Sequence, residues 1–308
     1  MASLRDIKKR VASVRSTHKL ISAMKLIAAS RFRQSLRLLH LARDYEKSLA
    51  GVLRTILADK DNYERCAQHL PQYFFEEDPS KPYVICVFGA QKGLSGNYNL
   101  AVIKEALALE ARSRPRSCEF VPMTLKTAEY FTKHRPTQAE PLAGLGHFPT
   151  NATFIELAVY VLEHVQKWYA NENVGAVGVV CGKFINTLNH DVESFDLYPN
   201  RMDLLTSHDS AESGGNTPVF AGGPGFRLVE PSVEVVVEKI LKRLALSRLY
   251  KAFLEAETCE CAARMTMMDS SKRNAEELID KLSLQYNRTR QASITNELIE
   301  IIAGTAAH

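Results

Sequence analysis

Apolar residues recur at Leu4, Ile7, Val11 and Val14, and the same alternation of three and four continues through Ile21 and Ala28. That period keeps one helix face turned toward a partner helix and predicts a coiled-coil seam. His18 interrupts it, as a register device or a core defect. After a weak stretch from Arg31 to Arg37, the spacing resumes at Leu38, Leu41, Tyr45, Leu49, Val52 and Ile56. The whole predicts one helix of about 55 residues, roughly 80 Å long at 1.5 Å per residue. A second stripe, Val233, Val237, Ile240 and Leu244, then Leu278, Leu282, Ile294, Leu298 and Ile301, predicts another long helix from Ser232 to Ala303.

The breakers fall where these helices are not. All 12 prolines lie between Pro71 and Pro231, and of the 15 glycines only Gly51 and Gly304 lie outside that interval. Proline costs roughly 3 kcal/mol and glycine roughly 1 inside a helix, so the flanks read as uninterrupted helices. Neither can bury its stripe alone, and pairing the two flanks as an antiparallel coiled coil solves both problems. Between them the pattern alternates: a strand at 83–88, a helix at 98–111, a strand at 120–125, helices near 127–133 and 153–169, and a strand at 174–181. This rhythm predicts a mainly parallel sheet with helices on its faces. The expected fold class is therefore α/β plus a long antiparallel coiled coil, with a Rossmann-like domain inserted between the helices. The expected division is 1–70 for the N-terminal helix and connection, 71–231 for the α/β domain, and 232–308 for the C-terminal helix, which pairs with 1–58. Residues 201–226, rich in Ser, Asn, Gly and Pro, read as a surface excursion.

Charge sharpens this picture. The chain carries a formal +4 over 308 residues, yet residues 1–43 hold eleven Lys or Arg against the single acid Asp6. A transit peptide shares that composition, but the helical pattern runs on past residue 50 without a Ser-rich cleavage zone. No stretch approaches the roughly 18 apolar residues of a membrane span, so membrane association is expected only through partners. The six cysteines form no CxxC pair and have no His at ligand spacing, which points to a reduced compartment and no zinc. Cys259 and Cys261 diverge by about 200° around a helix and cannot readily share a disulfide or metal.

An α/β domain invites a test for phosphate cradles. GAQKGLSGN, Gly89 to Asn97, lies between a strand and a helix, but it lacks the Gly-Lys-Ser/Thr ending and its glycines do not space as GxGxxG. A tight connection needing positive φ, with Asn97 as helix cap, is the plainer reading. The GGPGF run at 222–226 reads as loop. The nine histidines are scattered, GxSxG and HExxH are absent, and the carboxylates lie mostly on helical stripes. No catalytic site and no cofactor are expected. A basic nucleic-acid-binding helix, or a coiled-coil scaffold, is the alternative, though aromatic interleaving and a recognised DNA-binding motif are missing.

Four stretches match one pattern. IKKRVASVRSTHKLISAMKLIAASRFR at 7–33, GLSGNYN at 93–99, KFINT at 183–187 and LQYNRTRQASITNELIEIIAGTAA at the end make the chain resemble the gamma subunit of the rotary F-type ATP synthase. The resemblance spans both flanks and the domain between them. It implies a two-helix shaft carrying an α/β foot, with no chemistry of its own. The shaft would turn inside a ring of alpha and beta subunits, while the foot, with the epsilon subunit, would rest on the membrane c ring. Ion flow would thereby couple to ATP synthesis or hydrolysis through the beta-subunit conformations. Nucleic acid would not be a partner, and the chain would not insert into the membrane.

By the same resemblance, Arg290 and Gln291 would hydrogen-bond acidic loops of the beta subunits, with Thr295 one turn on. Met24 would face the same partner from the other helix, and with Lys25 it also fits an ordinary seam position. Arginine suits such a contact because its planar fork holds two carboxylate oxygens at once. A basic shaft within acidic loops is held by complementary potential. The excursion lacks the cysteines of a redox-switched plastid form, and Ser95 and Asn97 stand where many members place Cys and Gly. The lack of a presequence favours the cytoplasmic face of a bacterial inner membrane over the mitochondrial matrix.

Overall fold

The computed structural model describes residues 4–135, 153–170, 174–187, 189–199 and 229–306. The excursion at 201–226 and the GGPGF run lie outside them. Helix α1 spans Leu4–Leu57 over 54 residues, and α2 (Lys60–His69) follows after Asp59, whose side chain accepts the Asp61 N–H. A 3-10 turn (Gln72–Phe74) leads to β1 (Tyr83–Phe88) and α3 (Tyr98–Arg112). Next come β2 (Cys118–Pro122), α4 (Leu125–His134) and α5 (Phe154–Ala170). Strands β3 (Ala176–Phe184) and β4 (His190–Tyr198) precede α6, Val233–Ala306, 74 residues long. The two glycines outside the proline-rich interval, Gly51 and Gly304, are both helical. The chain forms two compact units, one of residues 1–31 with 261–308 and one of residues 32–260, so each long helix contributes to both.

In the first unit the two helices run antiparallel: His18 Nε2 meets Glu276 Oε1 at 3.0 Å and Lys25 Nζ meets Asp269 Oδ1 at 2.5 Å. The polar interruption at His18 is thus a paired seam position. The unit's buried residues are mostly small: Ile7, Ala28, Cys261, Ala262, Ala263, Met268, Ala275 and Leu282. In the expected C-terminal stripe only Leu282 of the late positions is buried. Leu278, Ile294, Leu298 and Ile301 are exposed, which corrects the expectation. By the register of the two ion pairs, Leu4, the first described residue of α1, lies level with Arg290.

The second unit corrects the N-terminal stripe as well. The seam does not weaken at Arg31–Arg37 and resume at Leu38; it runs through Phe32, Ser35, Leu39, Ala42, Leu53 and Leu57, all buried. Leu38, Leu41, Tyr45 and Val52, one position off that phase, are exposed, while Leu49 and Ile56 of the expected stripe do pack against the core. The error has a plain cause: Ser35 and Ala42 carry little hydrophobicity, while the adjacent row carries leucines, so the more apolar row was not the buried one. Phe32 fills the supposed gap by meeting the Phe184 ring edge-on at 5.4 Å.

The sheet has the order β2-β1-β3-β4, with β1 parallel to both β2 and β3. Strand β4 is antiparallel to β3 and was not foreseen, because HDVESFDLY alternates polar and apolar residues as an edge strand does. Every residue of β1 is buried, as expected of a central parallel strand. Val84, Cys86 and Phe88, with Val177, Val179 and Cys181, share one core with Leu53 and Leu57 of α1, Val161 and Val165 of α5, and Leu241, Leu249 and Phe253 of α6. On the opposite face Phe120 stacks on Phe131 of α4, ring centroids 4.6 Å apart. All six cysteines are buried free thiols. Among the described residues no helix is long and apolar enough to cross a membrane.

Candidate partner-contact surface and the switch-point turn

Strands β1 and β3 are neighbours, yet the chain leaves β1 toward β2 on one side and β3 toward β4 on the other, and α/β sheets bind ligands in the crevice at such a switch point. GAQKGLSGN occupies it. Leu94 and Gly96 adopt φ of 64° and 59°, the left-handed conformation expected of this turn. Gly89 is required for a different reason: a Cβ there would meet Thr127 Cγ2 at 2.7 Å and Asn99 Oδ1 at 2.8 Å. Asn97 stands at the N-cap position of α3 but makes no side-chain cap, with φ −86° and ψ 2°. The amide that does bond the turn is Asn99.

Four consecutive backbone N–H groups project from this turn, and each is taken by a side-chain oxygen. Gly89 donates to Thr124 Oγ1 at 3.1 Å and Ala90 to Asn99 Oδ1 at 2.7 Å. Gln91 donates to Glu260 Oε2 at 2.7 Å and Lys92 to Glu260 Oε1 at 3.3 Å. Main-chain donors arrayed after a strand are what a phosphate would use. Here they hold Thr, Asn and Glu side chains.

The neighbouring strand end is bound similarly. Phe184, in KFINT, donates its N–H to Glu255 Oε2 at 2.9 Å, and its carbonyl accepts from Arg43 Nη2 at 3.0 Å. Arg43 Nε in turn reaches Glu255 Oε1 at 2.9 Å. Burial pushes the Glu255 carboxyl above the ordinary range, against the opposing pull of the Phe184 N–H and Arg43. One turn along, Glu46 accepts from Lys251 at 2.7 Å and Arg248 at 3.2 Å. Burial works to raise its pKa, but Lys251 and Arg248 outweigh that and hold it below the usual value. Gly182 lets α6 come close, since a Cβ there would lie 2.8 Å from the Tyr98 ring and 2.9 Å from Cys259 Sγ.

The residues implied by the resemblance sit in the first unit. Arg290 and Gln291 are exposed, as is Thr295, whose hydroxyl donates to the Gln291 carbonyl at 2.9 Å. Met24 is 40% exposed between the exposed Leu20 and Ile27. Lys25 is engaged within the helix pair by Asp269, the seam position allowed for it. Met24 and Arg290 are not brought together: the antiparallel register separates them by about twenty residues, roughly 30 Å along the axis. Sequence reasoning missed the exposed group Ile294, Leu298, Ile299, Ile301 and Ile302, having assigned three of its members to a seam. The available signal was the width of the apolar face at this helix end, about 160° around the axis, where a seam would form a narrow stripe. Glu255 and Glu260 were missed too; their signal was acids set in the otherwise apolar run around FLEAETCECAA.

The ATP synthase family model matches residues 3–307. The chain is 32% identical to the ATP synthase gamma chain of Heliobacterium modesticaldum over 308 residues, covering 100% of this chain and 99% of that protein. It is 30% identical to the ATP synthase gamma chain of Hyphomonas neptunium over the full length of both. Among solved structures it is similar to a chain of the Euglena gracilis mitochondrial ATP synthase OSCP/F1/c-ring assembly. That match has a TM-score of 0.61 at 18% identity, covering 99% of this chain and 94% of the other. A chain of the Tetrahymena thermophila mitochondrial central stalk and c ring matches with a TM-score of 0.56 at 19% identity, covering 82% and 98%. With the long helix pair, the inserted sheet and the full-length match, this chain belongs to the ATP synthase gamma chain family.

Proposed function

We propose that the chain is the central rotating shaft of an F-type ATP synthase. It couples ion flow through a membrane c ring to ATP synthesis or hydrolysis on alpha and beta subunits, and it carries no catalytic site. Residues 1–70 and 232–308 supply the shaft in this reading, and 71–231 the foot that meets the epsilon subunit and the c ring. The complex sits on the cytoplasmic face of a bacterial inner membrane. One observation carries the proposal: from Arg290 to Ile299 every residue of α6 is exposed, apolar ones included. Such a surface calls for an enclosing partner. Unequal faces of a shaft turning inside a ring favour different beta-subunit conformations in turn, which is a population shift driven by rotation.

Among the described residues Arg290 has no hydrogen-bond or ion-pair partner, which leaves its fork for an acidic loop of the beta subunit. The test is the double variant Arg290→Ala, Gln291→Ala in the assembled complex. Losing a charge-assisted hydrogen bond at a partner surface costs roughly 1.5–3 kcal/mol, against under about 0.5 kcal/mol for folding at an exposed helical site. ATPase and synthesis rates should fall together while the melting of the isolated chain barely moves. Wild-type rates of both would return these residues to solvated surface.

A further inference from the structure

We infer that the switch-point crevice of the sheet is an anion site occupied by the chain's own carboxylate, and that Glu260, with Glu255, is a positioning residue fixing the sheet domain to α6. The two acids lie five positions apart on α6 and are 3% and 1% exposed. They address the two strands that flank the switch point: Glu260 binds the turn after β1 through the Gln91 and Lys92 N–H groups, and Glu255 binds the end of β3 through the Phe184 N–H. A buried carboxylate persists only where donors replace its water, and backbone N–H groups at a sheet's carboxyl edge are the donors that phosphates ordinarily take. Glu260 stands where that ligand would stand. Apolar contacts such as Phe88 against Phe253 are non-directional and let a helix roll or slide, whereas hydrogen bonds to two strand ends fix both its rotation and its height. Under the shaft reading, on which this consequence rests, twist passes between the sheet domain and α6 through these two carboxylates.

The test uses Glu260→Ala and Glu260→Gln in the full chain and in the holoenzyme. In the full chain, Glu260→Ala should speed amide exchange of Gln91 and Lys92 by about ten- to hundredfold, the factor expected for a lost charge-assisted bond. Added acetate, filling the vacated space, should restore protection where chloride at equal ionic strength does not. In the holoenzyme, Glu260→Gln should lower the ion pumping obtained per ATP hydrolysed. Hydrolysis by the ring assembly without its membrane sector should stay at the parent rate, a split that mere destabilisation would not produce. Unchanged exchange, equal rescue by chloride, or a retained pumping ratio would each overturn the inference. If Glu260→Ala fails to fold, the isosteric Glu260→Gln supplies the exchange comparison. If the parent chain fails to assemble with alpha and beta subunits, the shaft reading falls, while acetate-dependent protection still decides whether the crevice is an anion site.

Discussion

Leu39 and Leu41 sit two residues apart on α1, and sequence periodicity assigned the wrong one to the seam. Leu39 is fully buried against Ala42 and Leu254, with Phe154, Phe184 and Tyr250 beside it, whereas Leu41 is 61% exposed. Replacing Leu39 by Ala removes about three carbon groups at roughly 0.8 kcal/mol each, or ~2.4 kcal/mol of transfer energy. The rigid surroundings leave part of the space empty, which brings the expected loss to about 3 kcal/mol. Leu41→Ala exchanges one good helix former for a better one at a wet position and should cost under about 0.5 kcal/mol. The chain has a single tryptophan, Trp168, packed against the core of the second unit, so its fluorescence in a urea titration reports that unit alone. This matters because a chain of two compact units need not unfold in one step. With a slope of about 2–3 kcal/mol/M, Leu39→Ala should move the midpoint down by roughly 1 M. Equal losses for the two variants, or a larger loss for Leu41→Ala, would refute the assigned phase of α1.

Two other substitutions test the contacts that surround the sheet. Glu46→Gln should destabilise the chain at neutral pH, because a carboxyl whose folded pKa lies below its free value contributes stability above the free value and loses it as pH falls through the folded one. Urea midpoints of parent and variant should therefore converge below about pH 4.5, and a gap that stays constant on that acid limb would contradict the assignment. Gly182→Ala forces a methyl group within 2.9 Å of Cys259 Sγ and 2.8 Å of the Tyr98 ring, so α6 has to move. The expected loss is about 1–3 kcal/mol by the same Trp168 fluorescence, and a parent-like midpoint would show that the close approach is not needed.

What could be read from the sequence follows what each signal measures. Proline and glycine placement reports backbone compatibility, which is local, and it located both long helices to within a few residues, Leu4–Leu57 and Val233–Ala306. The central strand was equally plain, since six consecutive apolar residues bounded by Pro82 and Gly89 become β1. Burial phase was harder. On α1 the hydrophobic rows through Leu39 and through Leu38 are neighbours, and which faces inward depends on where the sheet packs, which no single helix encodes. Glu255 and Glu260 were illegible for the same reason: their meaning lies in backbone donors at the ends of β1 and β3, more than seventy residues upstream. The partner-contact residues came only from resemblance to a family, because exposure of Arg290 or Met24 has no local periodic signature.

The first unit keeps more large apolar surface outside than inside. Its buried seam holds Ile7, Met268 and Leu282 among alanines and a cysteine, while Leu20, Leu26, Ile27, Leu284, Ile294, Leu298, Ile299, Ile301 and Ile302 are exposed. Its interhelical polar pairs add little, for Lys25 and Asp269 are 37% and 44% exposed, and a surface pair of that kind contributes about 0–1 kcal/mol. Small seam residues let two helices approach closely, but they bury too little to make the pair strongly stable alone. An isolated protein gains nothing from that distribution; a shaft enclosed by a ring does, because the outward apolar residues find their burial on the partner. The second unit shows the opposite economy, with a dense core, Glu46 and Glu255 paired with basic side chains and Glu260 held by backbone N–H groups. Stability is thus concentrated in the sheet-bearing unit, and the surface available for partners in the helical one.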